Sequence, residues 1–244
     1  MVILDGARRQ LRRWRDRLFG PSVESQLAPQ GIEGVELLGH RTYVGGLWEQ
    51  IGQLQFAFLC SRGLRPDQVL LDIACGSLRL GVHAIPYLHP GHYLGIEKEA
   101  ELLRRGVDLE LGHAQFERFR PQLIANATFE FHRFDRLPDV AIAQSLFTHL
   151  PAELIGLCLQ RLLPCLKPSS VLYATFFQSR VRQRLRPKTP HDHASFHYTH
   201  REIVGFGECH GYTVEYIGAW NHPRDQVIVA YRPKPTLSAH ALHP

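Results

Sequence analysis

The stretch Val69-Leu70-Leu71-Asp72-Ile73-Ala74-Cys75-Gly76-Ser77-Leu78-Arg79-Leu80-Gly81, followed by His92-Tyr93-Leu94-Gly95-Ile96-Glu97, sets the fold of this 244-residue chain. A short apolar run over Val69–Ile73, broken only by Asp72 near its end, is what a strand buried on both faces looks like as it enters a turn. Small residues then carry the chain into a helix predicted over Leu78–Ile85, whose first N–H groups can meet an anion. Roughly twenty residues beyond the turn, a second strand over Tyr93–Ile96 runs into Glu97, an acid placed to accept hydrogen bonds from both hydroxyls of an unphosphorylated ribose.

Outward from this core the pattern keeps alternating. Leu47–Cys60 carries Leu47, Ile51, Leu54, Phe58 and Leu59 at helical spacing, and Ala100–Leu111 reads as a further helix. Phe129–Phe131 is predicted as a third strand, Val140–Ala143 as a fourth and Val171–Phe177 as a fifth. Ala152–Leu163 is a helix closed by Pro164, and Arg201–Cys209 is another. Val214–Ile217 and Val227–Tyr231 read as a closing antiparallel pair. Before the alternating region, Ile3–Phe19 is an amphipathic basic helix ended by Gly20-Pro21, and Pro21–Val35 is polar and irregular. No internal repeat is present. Alternating strands and helices with apolar strands predict a doubly wound, mostly parallel sheet with an N-terminal helical extension. The expected division is an arm over 1–46, an α/β domain over 47–233 and a loose tail over 234–244. Ligands of such a sheet bind at the carboxyl ends of the strands, where strand order reverses.

Composition narrows the class. The hydrophobic fraction is 44% and the charged fraction 21%, ordinary for a globular chain of this length. Five cysteines without C-x-x-C spacing argue against a disulfide framework and the usual zinc sites, and they suit a reducing compartment. Arginines at 8, 9, 12, 13, 15 and 17 interrupt any secretory apolar region, and no apolar run is long enough to span a bilayer. The expected location is the cytoplasm. The net charge of +5 is concentrated in Arg8–Arg17 and Arg180–Lys188, which raises the odds of an acidic partner such as RNA or an anionic membrane surface. His191, His193, His197 and His200 are close together, but their spacing matches no established zinc geometry, so no metal is expected.

A dinucleotide fingerprint is absent, because positions 74, 76 and 78 are Ala, Gly and Leu, and there is no P-loop lysine. Residues 69–81 instead resemble the first motif of class I S-adenosylmethionine-dependent methyltransferases. Asp72 matches the acid at the strand end and Gly76 the central glycine; Ala74 and Leu78 replace the flanking two. Glu97 matches the ribose-binding acid. Asp139–Pro151 is similar to the family's fourth strand and the loop after it, and Leu162–Pro168 to its helix–turn–strand. Gly45-Gly46 resembles an N-terminal lid. The resemblance implies a seven-stranded Rossmann-like sheet and an S-adenosylmethionine site with S-adenosylhomocysteine as product. The implied cofactor contacts are Asp72, Ala74, Cys75, Gly76, Ser77, Leu78, Arg79, Glu97, Lys98, Gln144 and Ser145. Arg79, His149, His197, Tyr198, Trp220 and His222 are the candidate acceptor contacts. His149 is either a general base or a packed structural histidine.

Methyl transfer from a sulfonium relies on alignment, with a base needed only for a protonated acceptor. The expected reaction is O- or N-methylation of a small molecule such as a natural product or sugar. The sequence lacks the Asn/Asp-Pro-Pro-Tyr/Phe tetrad of base-methylating enzymes and any recognisable RNA-binding module, so nucleic acid is disfavoured without being excluded. Leu78 in place of glycine keeps open a non-catalytic binding module, and the basic helix keeps open peripheral membrane attachment. Homo-oligomerisation also stays open.

Overall fold

In a computed structural model, residues 27–183 and 188–235 are described. The expected basic helix Ile3–Phe19 and nearly all of the C-terminal tail lie outside them. The central strand β1 spans Leu70–Ile73, and all four of its residues are buried. It lies parallel between β2 (Tyr93–Glu97) and β4 (Val140–Ala143). With β3 (Gln122–Ala125), β5 (Val171–Ser179), β7 (Tyr212–Ala219) and β8 (Gln226–Pro233), the order is β3-β2-β1-β4-β5-β8-β7. The first five run parallel, and β8 pairs antiparallel with both β5 and β7. The seven strands of this path and its mostly parallel character are as expected. A short eighth strand, β6 (His197–Thr199), adds to the end of β5 off that path.

Successive strand residues alternate between two apolar layers. Leu71, Ile73, Leu94, Ile96, Ala141 and Leu172 face one, where helices α7 (Ala152–Leu162) and α8 (His200–Cys209) contribute Ile155, Leu159 and Ile203. Leu70, Tyr93, Val140, Ile142 and Tyr173 face the other, covered by Leu59 of α3 (Trp48–Ser61), Ala84 of α4 (Gly81–Ala84) and Leu103 of α5 (Ala100–Arg105). Burial on both faces is why these strands read as continuous apolar runs. The helix predicted over Ala100–Leu111 is present, its second half (Gly106–Leu111) wound as a π-helix before α6 (His113–Phe119).

Three expectations are corrected. The third strand is Gln122–Ala125, not Phe129–Phe131. Asn126 Oδ1 accepts from Thr128 N (2.9 Å) and Glu130 N (3.1 Å), which folds the chain into a turn there, and Phe131 reaches the core from a 3-10 turn. The stretch Pro21–Val35 is not irregular to its end, because α1 (Gly31–Leu38) begins within it, followed by α2 (His40–Tyr43). The helix expected over Leu78–Ile85 is only Gly81–Ala84, because Leu78 is left-handed with φ 66° and cannot be helical. Arg79 therefore precedes that helix rather than sitting in its first turn.

The turn after β1 places Ala74, Gly76 and Leu78 alternately in the left-handed region, at φ 60°, 57° and 66°. Glycine is strain-free there, whereas Ala74 and Leu78 each carry a penalty of about 1 kcal/mol. The Leu78 side chain is fully buried beneath the turn, where its packing outweighs that strain. Opposite signs are therefore expected in urea unfolding. Ala74→Gly raises stability by about 0.5 kcal/mol, whereas Leu78→Gly lowers it by about 2 kcal/mol or more.

Candidate active site

The turn is stitched to the end of β2. Ala74 N and Cys75 N donate to Ile96 O at 2.8 and 3.2 Å, and Gly76 N donates to Glu97 Oε2 at 3.0 Å. The other carboxylate oxygen of Glu97 accepts from Lys98 N (2.8 Å) and Glu99 N (3.1 Å). Burial raises the Glu97 carboxyl above its ordinary value, while these backbone donors favour the ionised form. Asp72, at the carboxyl end of β1, accepts from Tyr93 Oη at 2.7 Å, and its desolvation pushes its pKa up to about 7.

Arg79 follows the turn and is buried. Its Nη1 donates to Val44 O (3.1 Å) and Gly46 O (3.3 Å), and its Nη2 to Gln144 Oε1 (2.7 Å). Nε meets no hydrogen-bond partner and no carboxylate pairs with Arg79 among the described residues. Burial, followed by repulsion from Arg224, pushes the guanidinium down to about 10. Its hydrogen bonds all go to neutral acceptors and only Asp72, outside ion-pair distance, opposes the lowering, so a ligand carboxylate would complete it. Gln144, at the end of β4, is the hub beside it. Its oxygen also accepts from Gln55 Nε2 (2.7 Å), and its nitrogen donates to Ser145 Oγ (2.6 Å) and His222 Nε2 (3.2 Å). Ser145, left-handed at φ 60°, is fixed by N–H donation to Thr175 Oγ1 at 2.8 Å.

These groups line a cavity of about 510 Å³ across the carboxyl ends of the strands, where the order reverses between β1 and β4. His149 lines it too. Its ring faces Ala194 O at 2.9 Å, so Nδ1 carries the proton and Nε2 holds the lone pair. Desolvation pushes its pKa down to about 4, with His193 and Arg224 adding to the effect and Asp192 opposing it. The ring is a neutral proton acceptor at physiological pH.

Of the residues anticipated from sequence, Asp72, Ala74, Cys75, Gly76, Arg79, Glu97, Lys98, Gln144, Ser145 and His149 all line the cavity. Ser77 and Leu78 lie outside its lining, buried below the turn. His197, Tyr198, Trp220 and His222 also lie outside it. Tyr198 Oη donates to Leu150 O at 2.6 Å, and the rings of Phe177 and His197 and of Trp220 and His222 are stacked. Lining residues that were not anticipated include Tyr43, Gln55, Phe129, Phe177, Asp192 and Arg224. The insertion between β5 and α8, rich in histidine, was the one sequence signal for Asp192. No group of three or more His, Cys, Asp or Glu is gathered for a metal among the described residues.

No protein-family model matches the sequence. Solved structures do. The magnesium protoporphyrin IX methyltransferase ChlM from Synechocystis PCC 6803 with bound SAM aligns at TM-score 0.56 and 13% identity, over 91% of this chain and 90% of that one. The DhpI–SAH complex aligns at 0.58 and 13%, over 84% and 99%. The CcbJ methyltransferase from Streptomyces caelestis aligns at 0.59 and 11%, over 75% and 90%. The fold is the Rossmann-like methyltransferase fold. At these identities the likeness is one of fold.

The His149 pKa gives a pH prediction. Between about 4 and 6.5 the unfolded imidazole binds a proton that the folded ring does not. The stability tied to the neutral ring is therefore fully present above pH 6.5 and is lost as pH falls towards 4. In urea titrations at pH 7 and pH 4.5, His149→Gln is expected to show a smaller acid-induced fall in stability than the wild type.

Proposed function

We propose that this protein transfers the methyl group of S-adenosylmethionine to an oxygen or nitrogen of a small-molecule acceptor, leaving S-adenosylhomocysteine. The observation that carries this is the presence, in one cavity, of Glu97 and the buried guanidinium of Arg79, whose hydrogen bonds among the described residues all go to neutral acceptors. Glu97 would accept from the ribose hydroxyls, and the guanidinium of Arg79, which lines the same cavity, would take the methionine carboxylate. Ile96, Leu102 and Phe129 offer apolar walls for a purine. The cavity volume of about 510 Å³ is in the range of ordinary small-molecule sites. The bound sulfonium supplies an electrophilic methyl without further activation.

The chain's own contribution is alignment, exclusion of water and handling of one proton. Residues Tyr43–Gly45 and Pro190–His193 line the cavity from the side of the N-terminal arm and of the β5–α8 insertion, which favours a small acceptor over a polymer. His149 Nε2 would accept the proton of an acceptor hydroxyl as the new bond forms. The five cysteines are all unpaired, which supports a reducing compartment such as the cytoplasm. No helix among the described residues is long and apolar enough to cross a membrane.

Transfer of labelled methyl from S-adenosylmethionine is the test, run against phenols, alcohols, amines, carboxylic acids and sugars, with RNA as a separate arm. Turnover of a small acceptor is expected. For a hydroxyl acceptor, His149→Ala should lower kcat by about 10²-fold or more. Transfer confined to RNA, or none to any acceptor by a cofactor-bound protein, contradicts the assignment.

A further inference from the structure

Asp192 joins three parts of the chain that are far apart in sequence. Its Oδ2 accepts from Tyr43 Oη and from Gly31 N (3.2 Å), both on the N-terminal arm. Its Oδ1 pairs at 2.6 Å with Nζ of Lys98, the neighbour of Glu97. Its own N–H donates to Gln30 Oε1 at 3.2 Å, and the next residue reaches the same arm through His193 Nε2 and Pro29 O at 2.9 Å. The Asp192 side chain is only 13% exposed, so these charge-assisted contacts are shielded from water.

The short segment carrying Asp192 also holds His149. His191 N donates to His149 O (3.2 Å), Phe196 N donates to Thr148 O (2.8 Å), and Ala194 O accepts from His149 Nδ1 (2.9 Å). The arm held on the other side is itself fixed to the cofactor turn. Val44 O and Gly46 O accept from Arg79, Gly45 O accepts from Arg224, and a Cβ on Gly76 would lie 3.0 Å from Val44 Cγ1. A shift of the arm therefore pulls on Asp192, and a shift of Asp192 pulls on the carbonyl that orients the imidazole.

We propose that Asp192 is a positioning residue whose carboxylate ties seating of the N-terminal arm over the cavity to alignment of His149, so that the two halves of the site assemble together. The roles given to the cavity and to His149 rest on the methyltransferase reading; the mechanical coupling does not. Tyr43→Phe removes one arm-to-Asp192 hydrogen bond and leaves in place Asp192, His193 and Arg224, the charged or titratable groups that face His149.

Hydrogen exchange by mass spectrometry and NMR titration of the histidines test the coupling in wild type, Tyr43→Phe and Asp192→Asn, with S-adenosylhomocysteine as probe. In Tyr43→Phe, exchange is expected to rise in both 29–46 and 190–196, and the His149 titration to move up towards the ordinary imidazole range as water reaches the ring. Asp192→Asn should raise exchange in both segments more strongly and weaken S-adenosylhomocysteine binding by about tenfold; the His149 titration is read in Tyr43→Phe alone, because loss of the Asp192 carboxylate by itself lowers the imidazole pKa. Exchange that rises only in the arm, or a His149 titration that stays put while both segments loosen, overturns the coupling. Failure of the wild type to bind S-adenosylhomocysteine would instead remove the methyltransferase reading and leave the exchange result to stand by itself.

Discussion

The chain must leave β1 and clear the ends of its two parallel neighbours within a few residues, and it does so with left-handed backbone at Ala74, Gly76 and Leu78. That turn fixes the rest of the site. It aims Gly76 N at Glu97, delays the helix until Gly81, and sends Arg79 back towards Gln144 and the arm. Leu78 stands where the related motif has glycine, yet the backbone course is kept, because a fully buried leucine gains more from packing than its strained φ costs. The same leucine that weakens the motif in the sequence anchors the turn in the structure.

Above the turn the site consists of polar groups that are mutually satisfied except at one place. Gln144 serves Gln55, Arg79, Ser145 and His222, and Glu97 accepts from three backbone donors with acceptor capacity left over. Among the described residues that line the cavity, Arg79 is the one with a buried donor lacking a partner, and a second guanidinium is close enough to lower its pKa. A second cation, Arg224, beside an incompletely paired guanidinium describes a place built for an anion, with Asp72 and Glu97 lining the same cavity.

The central strands were legible because burial on both faces leaves unbroken apolar runs, as in Val69–Ile73 and Val140–Ala143. The partly buried edge strand Gln122–Ala125 lacks that signal, and Phe129 and Phe131 looked like a strand although a side-chain turn at Asn126 bends them away. Most of the cavity-lining residues around the turn were legible because they follow one another within two motifs. The arm was not, since α1 carries two glycines and leaves Ile32 and Leu37 exposed. Asp192 and Arg224 act on residues about 150 or more positions away, Tyr43 and Gly45, and no local pattern encodes such pairings. His197, Tyr198, Trp220 and His222 were marked for their chemistry, but each of these rings can serve packing equally well, and here all four lie outside the cavity lining.

Calorimetric titration with S-adenosylmethionine and S-adenosylhomocysteine is the most direct test of the site, run on wild type, Glu97→Ala and Arg79→Ala with circular dichroism to confirm that each is folded. The account predicts micromolar binding of both compounds by the wild type and a loss of about tenfold or more in each variant. A folded wild type that binds neither compound, or variants that bind as the wild type does, would contradict the assignment of this cavity.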